Sequence, residues 1–311
     1  MSSIFGPVPS RRLGRSLGID VIPPKTCSFD CIYCESGPTT CLSVTVENFV
    51  DPSEILAELS AFFRLHPKKA TDVLTLSGAG EPTLYAGLGE LIAAVKKTYP
   101  RFPLIVLTNG SLLWAPEVRR RLLKADRVVP SLDAVTPAVF RNINRPHPSL
   151  ELEQIIEGMR AFRKEYKGQL HIETALVSGV NDSASELSAL AQVIESIRPD
   201  KIELNTVVRP PARTGTQGLT DERMAWAASF FSSLNAEIVG VFEADKQDCG
   251  EEQIGLRIIE TVQRRPCTVA ELAASLGVPE KRVEQVSRRL QKQGKLNKLC
   301  FDGKLFLCPA E

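Results

Sequence analysis

Apolar residues fall into two alternating rhythms along the chain. Short β-branched runs predict strands: LGIDVI (17–22), TDVLTLS (71–77), PLIVLTN (103–109), DRVVPSL (126–132), LHIETALV (170–177) and KIELNTV (201–207). AEIVGVF (236–242) is a seventh candidate. Between these runs, apolar positions three and four apart predict helices. The first, PSEILAELSAFFRL (52–65), follows Asp51, a good N-cap, and starts with Pro52, whose missing N–H is harmless there. LYAGLGELIAAVKKTY (84–99), PEVRRRLLKA (116–125), LELEQIIEGMRAFRKEY (150–166), SASELSALAQVIESI (183–197) and TDERMAWAASFFSSL (220–234) keep the same period.

Alternation of strand and helix implies parallel strands joined by crossover helices. Near-continuous apolar strands such as PLIVLT fit a sheet covered on both faces, or a barrel. Six or seven units are too few for a complete eight-unit barrel. The expected fold is therefore α/β, a partial (β/α)6 TIM-like barrel over residues 1–250, with an open doubly wound sheet as the alternative. In either, ligands gather at the carboxyl edge of the strands.

The pattern changes after residue 250. GLRIIETVQRR (255–265), TVAELAASLG (268–277) and PEKRVEQVSRRLQKQG (279–294) are three helical segments, and KLNKLCFDGKLFLC (295–308) alternates around Asp-Gly, a strong hairpin signal. Residues 251–311 are expected to form a winged-helix-like domain. Lys281, Arg282, Arg288, Arg289 and Lys292 give its third helix a basic face able to meet phosphates. A structural or protein-contacting module is the competing reading.

Composition narrows the setting. The formal net charge of +1 over 311 residues creates no global pull toward nucleic acid or membrane, so any such affinity must be local. MSSIFGPVPSRRLGRS lacks the apolar core of a signal peptide, and no later run is long enough to span a bilayer. The expected location is cytoplasmic, away from membranes, where thiols stay reduced. Eight cysteines then point to metal binding more than to disulfides. His66, His147 and His171 stand at no ligand spacing from one another.

Cys27, Cys31 and Cys34 lie four and then three positions apart, just after the first predicted strand. From spacing alone they fit two metals. With Cys41 they could form a four-cysteine zinc site; as three ligands they could hold an iron–sulfur cluster with a vacant position. Cys249, Cys267, Cys300 and Cys308 are scattered and read as buried structural thiols.

The order CxxxCxxC with Tyr33 before the last cysteine resembles the signature of the radical S-adenosylmethionine (SAM) superfamily. TLSGAGEPTL (75–84) is similar to that family's Gly-Gly-Glu element, with Ala79 in the first glycine position, then Gly80 and Glu81. The resemblance implies a [4Fe–4S] cluster on Cys27, Cys31 and Cys34, whose fourth iron chelates the methionine end of SAM. One electron then yields methionine and a 5′-deoxyadenosyl radical. It also implies that Ala79, Gly80 and Glu81 meet the methionine end, that Tyr33 neighbours the adenine, and that Asn109, Ser131 and Asp133 contact the ribose or nearby groups. A low-potential flavodoxin- or ferredoxin-like donor is implied as well.

Within the superfamily, SLDAVTPAVFRNINRPH (131–147) with LVSGVND (176–182) resembles the tRNA wyosine-base synthase group, without that group's second-cluster cysteines. RNA, tRNA foremost, is the expected substrate, ahead of a protein or small metabolite; a zinc-stapled nucleic-acid-binding regulator is the other reading. Arg11, Arg12 and Arg15 are candidates for a substrate phosphate or carboxylate clamp, as is Arg209, because an arginine fork suits either anion. Lys25 is a positional candidate for holding a substrate carbonyl.

Overall fold

The computed structural model describes residues 3–10, 12–66, 71–240 and 251–310. The chain opens with a hairpin that periodicity does not predict: β1 (Ile4–Ser10) runs antiparallel to β2 (Gly14–Ile19). Two two-residue strands, β3 (Thr26–Cys27) and β4 (Cys41–Leu42), pair with each other around the cysteine segment. The regular alternation follows: α1 (Pro52–Leu65), β5 (Val73–Leu76), α2 (Leu88–Thr98), β6 (Leu104–Thr108), α3 (Pro116–Leu122) and β7 (Arg127–Pro130). Next come α4 (Pro137–Ile143), α5 (Leu152–Glu165), β8 (Gln169–Leu176), α6 (Ala184–Ile197), β9 (Lys201–Thr206), α7 (Asp221–Ser229) and β10 (Ala236–Ile238). Helix α1 begins as expected, with the Asp51 carboxylate accepting from Ser53 N–H at 2.7 Å. Helix α4 was not anticipated; its seven residues carry too little of a period to stand out.

Eight strands form one sheet in the order β1-β2-β5-β6-β7-β8-β9-β10, parallel throughout except at β1. Each crossover lands beside the previous strand, so the order never reverses as a doubly wound sheet requires. The two faces differ sharply. Leu74, Leu76, Leu104, Val106, Ile172 and Leu204 point one way into a core shared with the helices. Alternate residues point the other way: Val73, Ile105 and Val129 form a small apolar floor, and the polar residues Thr75, Ser131, Glu173 and Asn205 continue above it along a cavity. The apolar runs read as doubly covered strands are thus covered by helices on one side and enclose a polar interior on the other.

That interior is held by charge. Arg12, in the β1–β2 turn at the amino end of the sheet, lies 2.6 Å from Glu173 and 2.9 Å from Glu203. His171 Nδ1 is 2.7 Å from the same Glu203, and Asn205 donates to Glu173 at 3.1 Å. Burial works against the Arg12 charge, but the two carboxylates outweigh it and hold the guanidinium above its usual range. Burial likewise opposes ionisation of Glu203, yet His171 and Arg12 keep its carboxyl below the usual value.

Three helices and a hairpin end the chain: α8 (Glu251–Val262), α9 (Val269–Leu276), α10 (Glu280–Lys292), β11 (Leu296–Phe301) and β12 (Lys304–Pro309). Asp302 and Gly303 both adopt positive φ, as an Asp-Gly turn needs. Ile258, Leu272, Val283, Val286 and Leu290 belong to a cluster of their own, while α9 packs on β1 and Ser275 donates to the Pro7 carbonyl at 2.6 Å. Among the described residues no helix is long and apolar enough to cross a membrane.

Glu203→Ala should cost about 3–5 kcal/mol in urea unfolding, because it strands part of a buried cation's pairing. The depressed carboxyl of Glu203 contributes stability that is full above its unfolded pKa and lost as pH falls through its folded value. The gap between wild type and variant should therefore close on acidification; a gap independent of pH would refute the assignment.

Candidate active site

Leaving β2, the chain enters an irregular stretch that carries Cys27, Cys31 and Cys34 and is gripped from two sides. On one side, Lys25 N–H donates to the Ala79 carbonyl at 2.7 Å and Glu81 N–H to the Thr26 carbonyl at 3.1 Å. A Cβ on Gly80 would sit 2.3 Å from that Thr26 carbonyl, so only glycine permits the approach. On the other side, Ile32 N–H reaches the Ile143 carbonyl and His147 N–H the Ser28 carbonyl, each at 2.9 Å. Asp30 adds to the second grip, accepting from Thr39 N–H at 2.9 Å and pairing with Arg145 at 3.0 Å and with Arg213 at 2.6 Å. Burial opposes its ionisation, but these three donors outweigh it and hold the carboxyl below its usual range.

The sulfurs have defined surroundings. The Asn109 amide stands 3.5 Å from Cys27 Sγ and donates to Ser28 Oγ at 2.8 Å. Asn144 does the same on the opposite side, 3.5 Å from Cys31 Sγ and 2.6 Å from Asp133. Burial, aided by Glu81, pushes the Cys27 thiol up to about 12, and burial raises Cys31 and Cys34 as well. All three are free thiols, and thiolates in such surroundings call for a bound cation. Among the described residues, no three Cys, His, Asp or Glu side chains converge on a single ion position. Cys41 and Cys300 are exposed and Cys308 half-buried; of the described thiols read as structural, Cys267 alone is buried. Cys249 lies outside the described residues.

A cavity of about 320 Å³ runs along the inner face of the sheet, from Arg12 and Leu13 at the amino end of the strands to the cysteine loop at their carboxyl edge. Tyr33 and Asp133 meet on its wall, the phenol donating to the carboxylate at 2.5 Å. Asp133 also accepts from Ala175 N–H at 2.8 Å, yet burial outweighs these bonds and raises its pKa to about 6. Ser131, Arg12, Arg209 and Cys34 line the same space. Arg209 is almost fully buried. It pairs with Glu35 at 2.8 Å on the cysteine segment and with Glu271, which closes a capping box at the start of α9. Arg264 and Arg265, just beyond α8, complete the wall. Arg264 lies 4.2 Å over the Phe5 ring, its backbone carbonyl accepting from Ser36 at 2.9 Å, and Arg265 is 3.7 Å from Glu35.

Several residues singled out in the sequence sit elsewhere than expected. Glu81 does not line the cavity: its carboxylate is taken up by Thr83, Thr108 and Asn109 N–H, fastening the ends of β5 and β6 together. Ala79 and Asn109 likewise stand behind the loop. Arg12 enters from the amino end of the strands, not from the cluster edge, and Arg15 pairs with Asp72 near the amino end of β2, away from the cavity. Lys25 does not line the cavity, and its Nζ is buried without a hydrogen-bond partner among the described residues; burial lowers its pKa and Cys34 opposes that shift. Arg11 lies outside the described residues. Asn144, Glu35, Arg264 and Arg265 were not anticipated. Only Asn144, within the quoted 131–147 stretch, left a trace in the sequence.

The family model of the radical SAM superfamily matches residues 21–191, which span the loop and both of its clamps. The chain belongs to the radical SAM superfamily. It is an enzyme. It is 33% identical over 313 residues to the UPF0026 protein MJ1312 of Methanocaldococcus jannaschii, covering 98% of this chain and 95% of that one. It is 37% identical over 304 residues to GTPase Obg of Brachyspira hyodysenteriae, a match covering 97% of this chain but 44% of that protein, so the chain spans less than half of that relative. The radical SAM methyltransferase of Sphaerobacter thermophilus superimposes with a TM-score of 0.57 at 17% identity, over 72% of this chain and 65% of that one, a likeness of fold.

For this radical SAM protein, the raised Asp133 carboxyl contributes stability that is full below its unfolded pKa and lost as pH rises through about 6. Urea unfolding of metal-free protein should show that decline, and Asp133→Asn should flatten it. An unchanged profile in the variant would rule Asp133 out as its source.

Proposed function

We propose that the protein reductively cleaves SAM beside a [4Fe–4S] cluster held by Cys27, Cys31 and Cys34, and uses the radical to modify an RNA, tRNA foremost. The carrying observation is that the three-cysteine loop, Tyr33 and Asp133 border one cavity at the carboxyl edge of the parallel strands. When bound, the cluster supplies one electron to the sulfonium of SAM, releasing methionine and a 5′-deoxyadenosyl radical that takes a hydrogen atom from substrate. A low-potential donor of flavodoxin or ferredoxin type provides that electron, and a reducing, cytoplasmic setting suits the free thiols. With SAM bound, Tyr33 would border the adenine, Ser131 and Asp133 would offer polar contacts to the ribose, and the Ala79–Gly80 backbone would shape the methionine end. Glu81 and Asn109 act from behind, holding that backbone and the Cys27 sulfur in place.

The sheet is read as a partial (β/α)6 barrel over residues 1–250, and residues 251–311 as a winged-helix domain. Residues 280–304 carry eight Lys and Arg against three acidic residues in a chain whose net charge is +1, which favours an RNA over a small metabolite. Lys281, Arg288, Arg289 and Lys292 are exposed along α10, while Val283, Val286 and Leu290 face inward. Likeness of 131–147 to the wyosine-base synthase group supports tRNA within that class. Deleting the C-terminal segment is a poor test of its role, because Arg264, Arg265 and Glu271 belong to the cavity wall or its ties.

Anaerobic protein reconstituted with iron and sulfide, given dithionite and SAM, should release 5′-deoxyadenosine, and Cys31→Ala should release none. Brown, reducible protein that leaves SAM intact would refute the reading. Arg288→Glu with Arg289→Glu should leave this cleavage unchanged while weakening tRNA binding at least tenfold and flattening its salt dependence; unaltered binding would exclude α10 as the RNA surface.

A further inference from the structure

Lys25 is held with unusual care for a residue outside the cavity. Its backbone adopts a left-handed φ of 63°, which a side chain other than glycine rarely takes. Three hydrogen bonds fix it there: its N–H to the Ala79 carbonyl, and its own carbonyl accepting from Thr40 and Cys41 N–H at 3.1 and 3.0 Å. The side chain lies over the turn that carries the third cysteine. Gly37 N–H closes that turn on the Cys34 carbonyl at 3.1 Å, and a Cβ on Gly37 would come 3.3 Å from Lys25 Nζ. The Gly37 φ of +85° independently favours glycine, so the turn is shaped to leave room for the ammonium. Buried ammonium groups are costly unless an anion accompanies them, yet this one has no hydrogen-bond partner among the described residues. The turn beneath it is the one closed on Cys34, which a bound cluster would keep as a thiolate.

We infer that Lys25 is a redox-positioning residue: its ammonium sits against the Cys34 side of the cluster and favours the reduced state. A three-thiolate cluster is net negative and gains a further negative charge on reduction, so a fixed nearby cation stabilises the reduced form more than the oxidised one. The superfamily's reaction needs the cluster to accept an electron from a low-potential donor, and Lys25 eases that step without touching SAM or substrate. Asn109 and Asn144 supply neutral N–H groups near the other two sulfurs, and the carboxylates of Glu81, Asp133, Glu35 and Asp30 put negative charge around all three, so Lys25 is the cation set against them at Cys34. This inference rests on the cluster reading above.

The test is a redox titration of reconstituted protein, followed by electron paramagnetic resonance without SAM or substrate, together with iron content per chain. Lys25→Met keeps the length of the side chain and the same left-handed strain but removes the charge. It should retain iron and show about a tenfold lower reduced-to-oxidised ratio at fixed potential, a downward shift of about 59 mV for one electron. Lys25→Arg should titrate near wild type. A Lys25→Met variant with full iron and an unshifted midpoint would overturn the inference. If Lys25→Met loses iron, retention of cluster and potential in Lys25→Arg supports the role of charge, and loss in both overturns it in favour of a purely structural lysine. Failure of the wild type to take up a reducible cluster would instead sink the proposed function, so the two readings fail separately.

Discussion

The site depends on a contact with no side chain in it: Gly80 pressed against the Thr26 carbonyl. The loop bearing the three cysteines has almost no regular structure, and an irregular segment fixes its backbone only where neighbours supply hydrogen bonds. Gly80 lets the β5 turn come close enough for Glu81 N–H and the Ala79 carbonyl to serve as those neighbours. The Glu81 side chain then carries the constraint onward to Thr108 and Asn109, so one glycine couples the cysteines to two strand ends. The strap at 143–147 grips the opposite side.

Charge inside the sheet serves a different purpose. A β/α wall with helices on one face must fill or line its other face, and here the lining turns polar above a short apolar floor. Arg12, Glu203 and His171 satisfy one another within the sheet, and Glu173, level with Ser131, joins them to the part of the cavity that Ser131, Asp133 and Tyr33 line.

Strand and helix positions were legible because burial imposes a period, and the period is written in apolar residues. The seven parallel strands and α1 with its Asp51 cap followed from that signal alone. β1 did not, because Gly6, Pro7 and Pro9 interrupt its alternation and its pairing depends on the neighbour β2. Membership of the radical SAM superfamily was legible because its motifs set particular residue types at close spacing, Cys27, Cys31 and Cys34 first among them. Arg15 and Glu81 were misplaced for a shared reason: sequence proximity to a motif says which edge a residue is near, but not which way its side chain turns. Glu35, Arg264 and Arg265 carried no signal, since their meeting joins segments more than two hundred residues apart.

That meeting has a consequence for how the protein is made. Every residue that grips the cysteine loop, up to Arg213, leaves the ribosome before residues 264–271 exist. The cysteine loop can therefore settle against its neighbours while the wall supplied by Arg264 and Arg265 is still unsynthesised, and the cavity is closed on that side only as α8 and α9 dock onto β1.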